Sequence, residues 1–528
     1  MSPRVLEQAR ALLDAAITEY HGDHEALRQL EEHSGRLDEP LRVAIAGMVK
    51  AGKSTLLNAI IGEEIAPTDA GECTKVITWY RHGATPRITM HLNAGGIRSL
   101  PVRREGGQLV IDLGSTSADE VARIEVEWPS KRLEEVTLID TPGIASLSSE
   151  VSARSAAFLT PQESPPEADA IIYLMRHLHA TDLGFLSAFH DTSVGRSATV
   201  NAMAVLSRAD EVGAGRIDAL LSARSIAERY RADGALRSLA LDVVPIAGLV
   251  AQSARTLRQD EFDALRQIAR LGRDARERLL VSVDRFVRAD IGIEVPAEHR
   301  RALLERFGMF GLRMSAVAIR SGCDDATDLA DELYRRSGMD DLLRLVSDQF
   351  RSRADALKAR VVLAAVGAII RQRPTARSAE LAGAVERLEA NSHELRELSL
   401  LSAARTDGIG LPPADAAEAE RLIGGAGTST TQRLGLAADA PADEVHRAAT
   451  EALRRWRAMA GSPLIDRAAV DACQVVVRTC EALVVDAAPA SVERQRLRLV
   501  PHAEPPAGGR EEAQDPPDDR EHESRQEQ

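Results

Sequence analysis

Apolar side chains follow three successive patterns along this chain, and each pattern predicts a different kind of structure. Residues 4–20 place their apolar side chains at helical spacing, which predicts an amphipathic helix ahead of the first strand. From about residue 41, short apolar runs alternate with helical stretches, whereas beyond about residue 255 the spacing is helical almost throughout. Long helices have to pack on one another, so the second half is predicted to form a bundle or stalk.

The middle pattern predicts an α/β domain built on a mostly parallel sheet. A short apolar strand at residues 43–46 ends in glycine and is followed by a predicted helix at residues 53–61. Ile124, Val126 and Trp128 alternate with charged residues, as in a half-exposed strand. Largely apolar runs, which suit strands buried on both faces of a sheet, are found at residues 136–139, 170–175, 202–206 and 241–246, interrupted only by Thr137 and Asp242.

Three further stretches bear on the helical half. Apolar residues from Leu381 to Leu398 keep one helical stripe that is interrupted only by Ser392. Residues 307–314 gather Phe and Met side chains in a chain with 3% aromatics, which predicts buried core, with a membrane or partner contact as the alternative. Residues 501–528 have no apolar residue larger than alanine, so this acidic tail is predicted to be disordered.

Composition and charge limit the class of protein. With 528 residues and 44% hydrophobic composition, the chain can form two or three cores. Its net charge of −14 argues against a nucleic-acid binder and leaves only a local basic patch as a route to anionic lipid. The four cysteines form no CxxC pair, and the ten-residue apolar run at residues 361–370 is short of the roughly 20 residues that span a bilayer. We therefore expect a cytoplasmic protein with reduced thiols.

Residues 47–54 fit the phosphate-loop pattern GxxxxGK[ST] between a predicted strand and a predicted helix. The glycines let backbone amides curl around phosphate groups, and the helix N-terminus adds its positive dipole. Lys53 is expected to reach the β- and γ-phosphates, and the Ser54 hydroxyl is expected to bind Mg²⁺. A glycine turn without a ligand is the alternative. The predicted nucleotide contacts in this segment are Gly47, Ala51, Gly52, Lys53, Ser54 and Thr55.

Two later segments contain residues that a magnesium-bound nucleotide needs. Asp140 closes the apolar run at residues 136–139, so its carboxylate is expected beside the phosphate loop, where it can hold Mg²⁺ through water. The Gly143 amide is then expected to sense the γ-phosphate; without a phosphate loop, the segment would be an ordinary strand-to-turn exit. Thr74 lies 20 residues after the phosphate loop, where a switch threonine completes the magnesium shell, with Thr68 as its competitor.

A third segment predicts guanine as the base. Ser207, Arg208 and Asp210 follow the apolar run at residues 202–206, in the place of the [NT]KxD motif of GTPases. An aspartate there accepts hydrogen bonds from guanine N1 and N2, whereas adenine offers no such donor pair. Serine and arginine replace the usual residues, although the arginine stem can still lie along the base; an ordinary loop aspartate is the alternative. After the last strand, the Ala247 amide is expected to contact the guanine oxygen.

With these motifs in this order, the chain resembles the bacterial dynamin-like GTPases, and among them the isoniazid-inducible group of actinobacteria. Asp140 lies 87 positions after Lys53, which exceeds the spacing in small signalling GTPases, and dynamin-like proteins insert β structure there. The resemblance implies GTP hydrolysis coupled to membrane remodelling or repair, a companion dynamin-like protein, and tolerance of isoniazid and other envelope-targeting drugs. The segments that carry the resemblance are residues 66–83, 207–219, 303–315 and 423–436.

The resemblance also suggests a division of the chain and a set of partners. We expect GTP or GDP with Mg²⁺ as ligands, a homodimer or a heteromer with a companion dynamin-like protein, and peripheral contact with anionic membrane at the inner face of the cytoplasmic membrane. The segments are an N-terminal neck helix (1–38), a dynamin-type GTPase domain (39–255), a helical segment closing that domain (256–355), a helical bundle or stalk (356–490) and a disordered acidic tail (491–528).

Two positions depart from the family pattern. Many dynamins have a glutamine just after the first glycine of the phosphate loop, where this chain has Met48. Small GTPases have one directly after the position of Gly143, where this chain has Ile144. Because both residues are apolar, we expect GTP hydrolysis to be about 10³–10⁵-fold slower than in GTPases that have the missing group, unless a partner completes the site. Lys50 and Arg81 are candidates to supply the missing group.

These observations leave three hypotheses for the function. The leading one is a dynamin-like mechano-enzyme whose heads dimerise across GTP. The second is a GTP-binding partner or scaffold that hardly turns over and regulates a companion. The third, a P-loop ATPase or nucleotide kinase, leaves Asp210 unexplained. His177 and His179 have no further ligand nearby in the sequence, so no metal site is predicted there.

Overall fold

The structure is a computed structural model that describes residues 5–68, 75–143, 167–192, 198–288 and 294–488, with the backbone alone at residues 190–192 and 198–199. The strands are β1 (Leu41–Gly47), β2 (Thr78–His82), β3 (Arg87–Leu92), β4 (Ile97–Leu100), β5 (Arg103–Glu105), β6 (Gln108–Val110), β7 (Val121–Trp128), β8 (Val136–Asp140), β9 (Ala170–Met175), β10 (Ala202–Ser207) and β11 (Val243–Ile246). The helices of the first half are α1 (Val5–Glu19), α2 (His24–Asp38), α3 (Lys53–Ile61), α4 (Ala180–Thr192), α5 (Ala219–Ala232), α6 (Gly234–Arg237) and α7 (Gly248–Arg255). Those of the second half are α8 (Gln259–Arg270), α9 (Arg273–Leu279), α10 (Val283–Arg288), α11 (Ala297–Arg320), α12 (Ala326–Arg336), α13 (Met339–Gln349), α14 (Ala354–Gln372), α15 (Ser378–Asn391), α16 (His393–Arg405), α17 (Pro413–Leu422), α18 (Thr430–Leu434), α19 (Ala442–Ala460) and α20 (Arg467–Asp486).

Nine of these strands form one sheet, in the order β11-β10-β9-β1-β8-β2-β7-β3-β4. The strands from β11 to β8 in this order pair in parallel, as predicted, and so do β2 and β7. The antiparallel pairs are β2 with β8 and β3 with both β7 and β4. The carboxyl ends of the parallel strands meet at one edge, which is where α/β sheets bind ligands.

The apolar runs in the sequence correctly predicted which strands are buried. β1, β9, β10 and β11 are buried along their whole length, and β8 is buried up to Asp140 at its end. In β7, the side chains of Ile124, Val126 and Trp128 are buried and alternate with more exposed, mostly charged residues. Burial of whole strands explains why these segments are continuously apolar, whereas β7 has one less covered face.

Helices cover both faces of the sheet. On one face, α4 and α5 pack over a compact cluster that includes Ala44, Trp79 and Tyr173. On the other face, α3 and α7 pack against each other, and their buried side chains continue into the core of the helical half. The sheet and the helical half therefore share one hydrophobic core.

The first helix packs against helices that lie far along the chain. α1 buries its predicted apolar stripe against α14 and α15. The described part of the segment 1–38, residues 5–38, nevertheless contains two helices and not the single neck helix that we expected. α1 ends at Glu19, and the Asp23 side chain accepts hydrogen bonds from the amides of Glu25 and Ala26, which starts α2 as a separate helix.

The predicted stripe from Leu381 to Leu398 is also divided between two helices. α15 ends at Asn391, and the Ser392 side chain accepts a hydrogen bond from the Leu395 amide at 3.4 Å. Ser392 is thus the N-cap of α16, a position at which serine is favoured because it satisfies a free helix amide. The predicted interruption of the stripe at Ser392 is thus the boundary between two helices.

The helical half meets the sheet at the edge opposite to the ligand edge. Arg405 in α16 donates hydrogen bonds to the carbonyl oxygens of Ala240 and Leu241, just before β11, at 3.0 and 2.7 Å. Glu420 in α17 pairs with Arg405 at 2.8 Å and with Arg237 in α6 at 2.6 Å. These contacts fix the bundle against the amino-terminal ends of the strands.

The cluster of large apolar residues in α11 lies in the core, as predicted. Phe307 and Phe310 are at most 2% exposed, and Gly308 interrupts the helix with φ +62°. The apolar run at residues 361–370 lies inside the largely buried helix α14. Within the parts of the chain that the structure describes, no helix is both long enough and apolar enough to span a bilayer.

Candidate nucleotide-binding site

The phosphate-loop segment connects β1 to α3 at the ligand edge of the sheet. Gly47 has φ +147°, and a Cβ added there would lie 2.3 Å from the Leu174 carbonyl oxygen. Gly52 has φ +94° directly before the first residue of α3. Both positions favour glycine, because L side chains rarely adopt these backbone angles and the first has no room for one.

Lys53 lies at the N-terminus of α3 and folds back over the loop. Its Nζ is 3.3 Å from the Gly47 carbonyl oxygen and 3.4 Å from that of Met48, so the loop itself holds the ammonium group. Burial lowers the pKa of Lys53, and the nearby Asp140 carboxylate opposes that shift. Lys50 is exposed on the loop with φ +63°, where a ligand or a partner can reach it from solvent.

Ser54 and Asp140 lie side by side beneath the loop. The Ser54 hydroxyl donates to Asp140 Oδ2 at 2.8 Å, while Asp140 Oδ1 is buried and has no hydrogen-bond partner among the described residues. Burial raises the pKa of Asp140, and the Lys53 ammonium and the Ser54 hydroxyl act against that rise. A buried carboxylate oxygen without a donor, next to a hydroxyl oxygen, fits Mg²⁺, which prefers oxygen ligands and keeps some of its water.

The turn after β8 packs directly on the phosphate loop. A Cβ added to Gly143 would lie 2.6 Å from Val49 Cγ2, so any larger residue would displace the loop. The Thr141 hydroxyl donates to the Ile45 carbonyl oxygen at 3.0 Å, which fixes the start of the turn to β1. This close approach brings the Gly143 backbone next to the loop that is predicted to hold the phosphates.

Two predicted positions lie outside the described residues. These are Thr74, the expected switch threonine, and Ile144, so their roles stay predictions. Thr68, the competitor of Thr74, is exposed at the end of its segment. In the described ranges, no three His, Cys, Asp or Glu side chains are grouped to hold a metal ion, and that includes the surroundings of His177 and His179.

A cavity of about 130 Å³ lies at the same sheet edge, beside the phosphate loop. Six of the residues predicted to bind the nucleotide lie in its wall: Ala51, Gly52, Thr55, Ser207, Arg208 and Asp210. The rest of the wall is formed by Leu56, Leu174, Val205, Glu211, Ile246, Gly248 and Leu249. The fold thus brings the phosphate-loop segment and the base segment together, although about 150 residues separate them.

The base segment is held by an arginine–glutamate pair that the sequence did not reveal. Asp210 is 8% exposed, and burial raises its pKa to about 6. Arg208 adopts φ +52° and donates to Glu211 Oε1 at 2.7 Å, while Arg176 donates to Glu211 Oε2 at 2.6 Å. Glu211 therefore fixes the Arg208 side chain at the cavity wall.

Two predicted contacts are already used within the protein. The Ser207 hydroxyl donates to the Met175 carbonyl oxygen at 3.2 Å, which ties β10 to β9. The Ala247 amide donates to the Ser337 carbonyl oxygen at 2.9 Å, and Ala247 is absent from the described cavity wall. The contact of this amide with the guanine oxygen stays a prediction, and Gly248, at the start of α7, is the neighbour that lines the cavity.

Several known proteins are similar to this chain in sequence. The sequence model of the dynamin family matches residues 43–183. "Isoniazid-induced protein IniC" of Mycobacterium tuberculosis is 42% identical over 486 residues, covering 91% of this chain and 98% of that protein. The chain belongs to the dynamin family. Bacterial dynamin-like protein of Nostoc punctiforme is 29% identical over 170 residues, which cover 30% of this chain and 24% of that one. A solved oligomerised bacterial dynamin pair aligns with 94% of this chain and 77% of that one, at 12% identity and a TM-score of 0.29.

The dynamin-like insertion that the resemblance implied is present. Strands β2 to β7 fill the long interval between α3 and β8. Arg81 in β2, however, is no candidate for catalysis. Its Nη2 lies 3.6 Å from Glu39 Oε2, and its guanidinium group lies over the Trp79 ring. Glu39 comes just before β1, at the end of the sheet away from the phosphate loop.

Proposed function

We propose that this member of the dynamin family binds GTP with Mg²⁺ and hydrolyses it to GDP and phosphate. The observation that carries the proposal is the Ser54–Asp140 pair beside Lys53, at the same edge as the cavity around Asp210. The first group suits a magnesium-bound triphosphate, and the second suits guanine. A P-loop ATPase or nucleotide kinase would leave the buried Asp210 carboxylate without a purpose.

The phosphate end of the site would work through charge and position. Lys53 would contact the β- and γ-phosphates, and the Gly143 amide would sense the γ-phosphate. Mg²⁺ would be held by the Ser54 hydroxyl, by Asp140 through water and by Thr74, and it would neutralise charge that builds up on the phosphate oxygens. The buried Asp140 Oδ1 supports this assignment, because it has no donor among the described residues.

The base end would select guanine through Asp210. Its carboxylate would accept hydrogen bonds from guanine N1 and N2, and the stem of Arg208 would lie along the base. Because the first amides of a helix have no acceptor within that helix, the amide of Gly248 or Leu249 would contact the guanine oxygen in place of Ala247. Both of these residues line the cavity.

The helical half would respond to the nucleotide through contacts behind the base. The Ala247 amide is bonded to Ser337, between α12 and α13, and a Cβ on Gly338 would lie 2.4 Å from the Pro245 carbonyl oxygen. Such tight packing transmits small displacements. We propose that the motion remodels or repairs membrane at the inner face of the cytoplasmic membrane, together with a second copy or a companion dynamin-like protein. One relative is named for its induction by isoniazid, and we propose that this protein likewise has a role in tolerance of that drug.

A GTP-binding scaffold that hardly turns over is the second candidate function. The observation that favours it is the apolar side chain of Met48, in the place of a water-orienting glutamine. Ile144 is likewise apolar. In that case a companion would complete the site, or Lys50 would do so from the exposed surface of the loop.

The two candidates are separated by measuring GTP turnover against protein concentration, with and without liposomes. Lys53→Ala serves as the control without a working phosphate loop, and Lys50→Ala tests the exposed lysine. Turnover per molecule that rises with concentration or lipid and is lost in Lys53→Ala supports the mechano-enzyme. Flat turnover near background, with GDP still bound, supports the scaffold. Failure to bind guanine nucleotide at all would contradict both.

A further inference from the structure

A second cavity lies away from the nucleotide site, between the C-terminal ends of α8 and α11. It encloses about 460 Å³. Arg266 and Arg270 come from α8, where residues four apart share one face, and Arg320 is the last residue of α11. Cys323 and Asp324, in the turn before α12, form part of the same wall. Two helices thus bring three guanidinium groups to one cavity.

These arginines have no carboxylate partner among the described residues. Neither an ion pair nor a side-chain hydrogen bond links Arg266, Arg270 or Arg320 to any described part of the chain. Arg306, on the same helix as Arg320, instead pairs with Glu64 and Glu261. Asp324 is the one acidic residue in the described wall. The cavity therefore has an excess of positive charge, although the whole chain has a net charge of −14.

A fourth arginine adds to this excess. Arg276 in α9 donates to the carbonyl oxygens of Ala269 and Leu271, at 3.4 and 2.7 Å, and both of these residues line the cavity. Burial lowers the pKa of Arg276, and repulsion from Arg320 lowers it further. The guanidinium groups of Arg276 and Arg320 are thus close enough to repel one another.

Helix ends explain only part of this arrangement. Arg270 and Arg320 lie in the last turns of α8 and α11, where the helix dipole favours a cation. That effect acts on each arginine separately, and it does not account for the convergence of both helix ends with Arg266. An anion between the guanidinium groups would offset their repulsion and accept hydrogen bonds from several of them.

We propose that this cavity binds a phosphate-bearing ligand through Arg266, Arg270 and Arg320, at a site separate from the phosphate loop. Arginine suits phosphate because its planar guanidinium group donates two parallel hydrogen bonds to phosphate oxygens. The phosphate belongs either to a soluble phosphorylated molecule or to a lipid head group, since both present the same oxygens. The site does not depend on GTP binding or hydrolysis.

The test uses the full chain carrying Lys53→Ala, so that phosphate does not bind at the phosphate loop. Inorganic pyrophosphate is titrated by calorimetry, and sedimentation is measured with phosphatidylcholine vesicles that contain or lack phosphatidylglycerol. The cavity variant carries Arg266→Gln, Arg270→Gln and Arg320→Gln. The control variant removes the same charge from exposed arginines that have no ion pair with a described residue, through Arg301→Gln, Arg467→Gln and Arg478→Gln.

We expect pyrophosphate to bind the cavity variant at least about tenfold more weakly than the control variant. Bound pyrophosphate should also slow alkylation of the half-buried Cys323 thiol by iodoacetamide, and this protection should be absent in the cavity variant. If only vesicles with phosphatidylglycerol distinguish the two variants, the ligand is a lipid head group. If neither probe distinguishes them, the proposal is overturned. Should circular dichroism show that the cavity variant is unfolded, Arg320→Gln alone takes its place.

Discussion

Lowering the pH from 7 to 5 should weaken GDP binding, because Asp210 has to be ionised to accept hydrogen bonds from guanine N1 and N2. Asp210 is 8% exposed, and burial raises its pKa to about 6. About nine-tenths of the carboxyl group is then ionised at pH 7 and about one-tenth at pH 5. Because apparent affinity scales with the competent fraction, the dissociation constant should rise about tenfold over this range.

The stability of the nucleotide-free protein should change in the opposite direction through the same group. The pKa of Asp210 lies at about 6 in the folded protein and near 3.8 in the unfolded chain. The folded state therefore binds the proton more tightly, so this contribution to stability is full below pH 3.8 and is lost as the pH rises through 6. A difference of that size corresponds to on the order of 3 kcal/mol. Asp210→Asn should thus be more stable than the wild type at pH 7, and this advantage should disappear near pH 4.

The assay is a calorimetric titration of GDP with Mg²⁺ at several pH values between 5 and 8. Asp210→Asn is the control, because the amide has a similar shape and does not titrate. Any pH dependence from the GDP phosphates remains in the control and can be subtracted. If the wild type and Asp210→Asn show the same pH dependence, Asp210 is not the group that recognises guanine, and the assignment of the base site fails.

Three further changes should have separate effects. Gly338→Ala should lower the free energy of unfolding by about 3 kcal/mol in urea, because φ is +89° and the new Cβ would lie 2.4 Å from a β11 carbonyl oxygen. Gly322→Ala, at φ +114° with nothing within 4 Å, should lose less, and equal losses would contradict the packing argument. Arg306→Met should cost about 3 kcal/mol, because the buried Glu64, 3.0 Å from Arg306 Nη1, loses its ion-pair partner and the buried Glu261 keeps only Arg258; unchanged urea unfolding would refute this. Ser54→Ala should raise the Mg²⁺ concentration needed for half-maximal GTP turnover at least roughly tenfold, and an unaltered Mg²⁺ dependence would remove Ser54 from the magnesium site.

The sequence alone was enough to predict the α/β class and the residues of the phosphate loop. Gly47 and Gly52 are fixed by local backbone angles, and Asp140 follows a strand whose burial makes it continuously apolar. The carboxyl ends of parallel strands share an edge, so segments that each follow such a strand must approach one another. The order of the motifs along the chain was therefore sufficient to predict that Asp140 and Asp210 lie at the same edge of the sheet.

Tertiary structure decided which groups at that edge remain available. The Ala247 amide has the position along the chain that a base contact requires, but Ser337, 90 residues later, uses it. Glu211 fixes Arg208 only because Arg176, at the end of another strand, lies on its other side. The local pattern of residues in the sequence contains no information on such distant partners, because hydrogen bonds form between whichever groups the fold brings together.

The same reason explains the helical half. Helical spacing predicted the helices, but only capping geometry showed that Ser392 separates two of them. Arg266, Arg270 and Arg320 are ordinary surface arginines in the sequence, and they form a cavity only because α8 and α11 end side by side. Periodicity and motif spacing follow from local geometry and can be deduced from the chain. Convergence of distant residues follows from packing, which the tertiary structure alone determines.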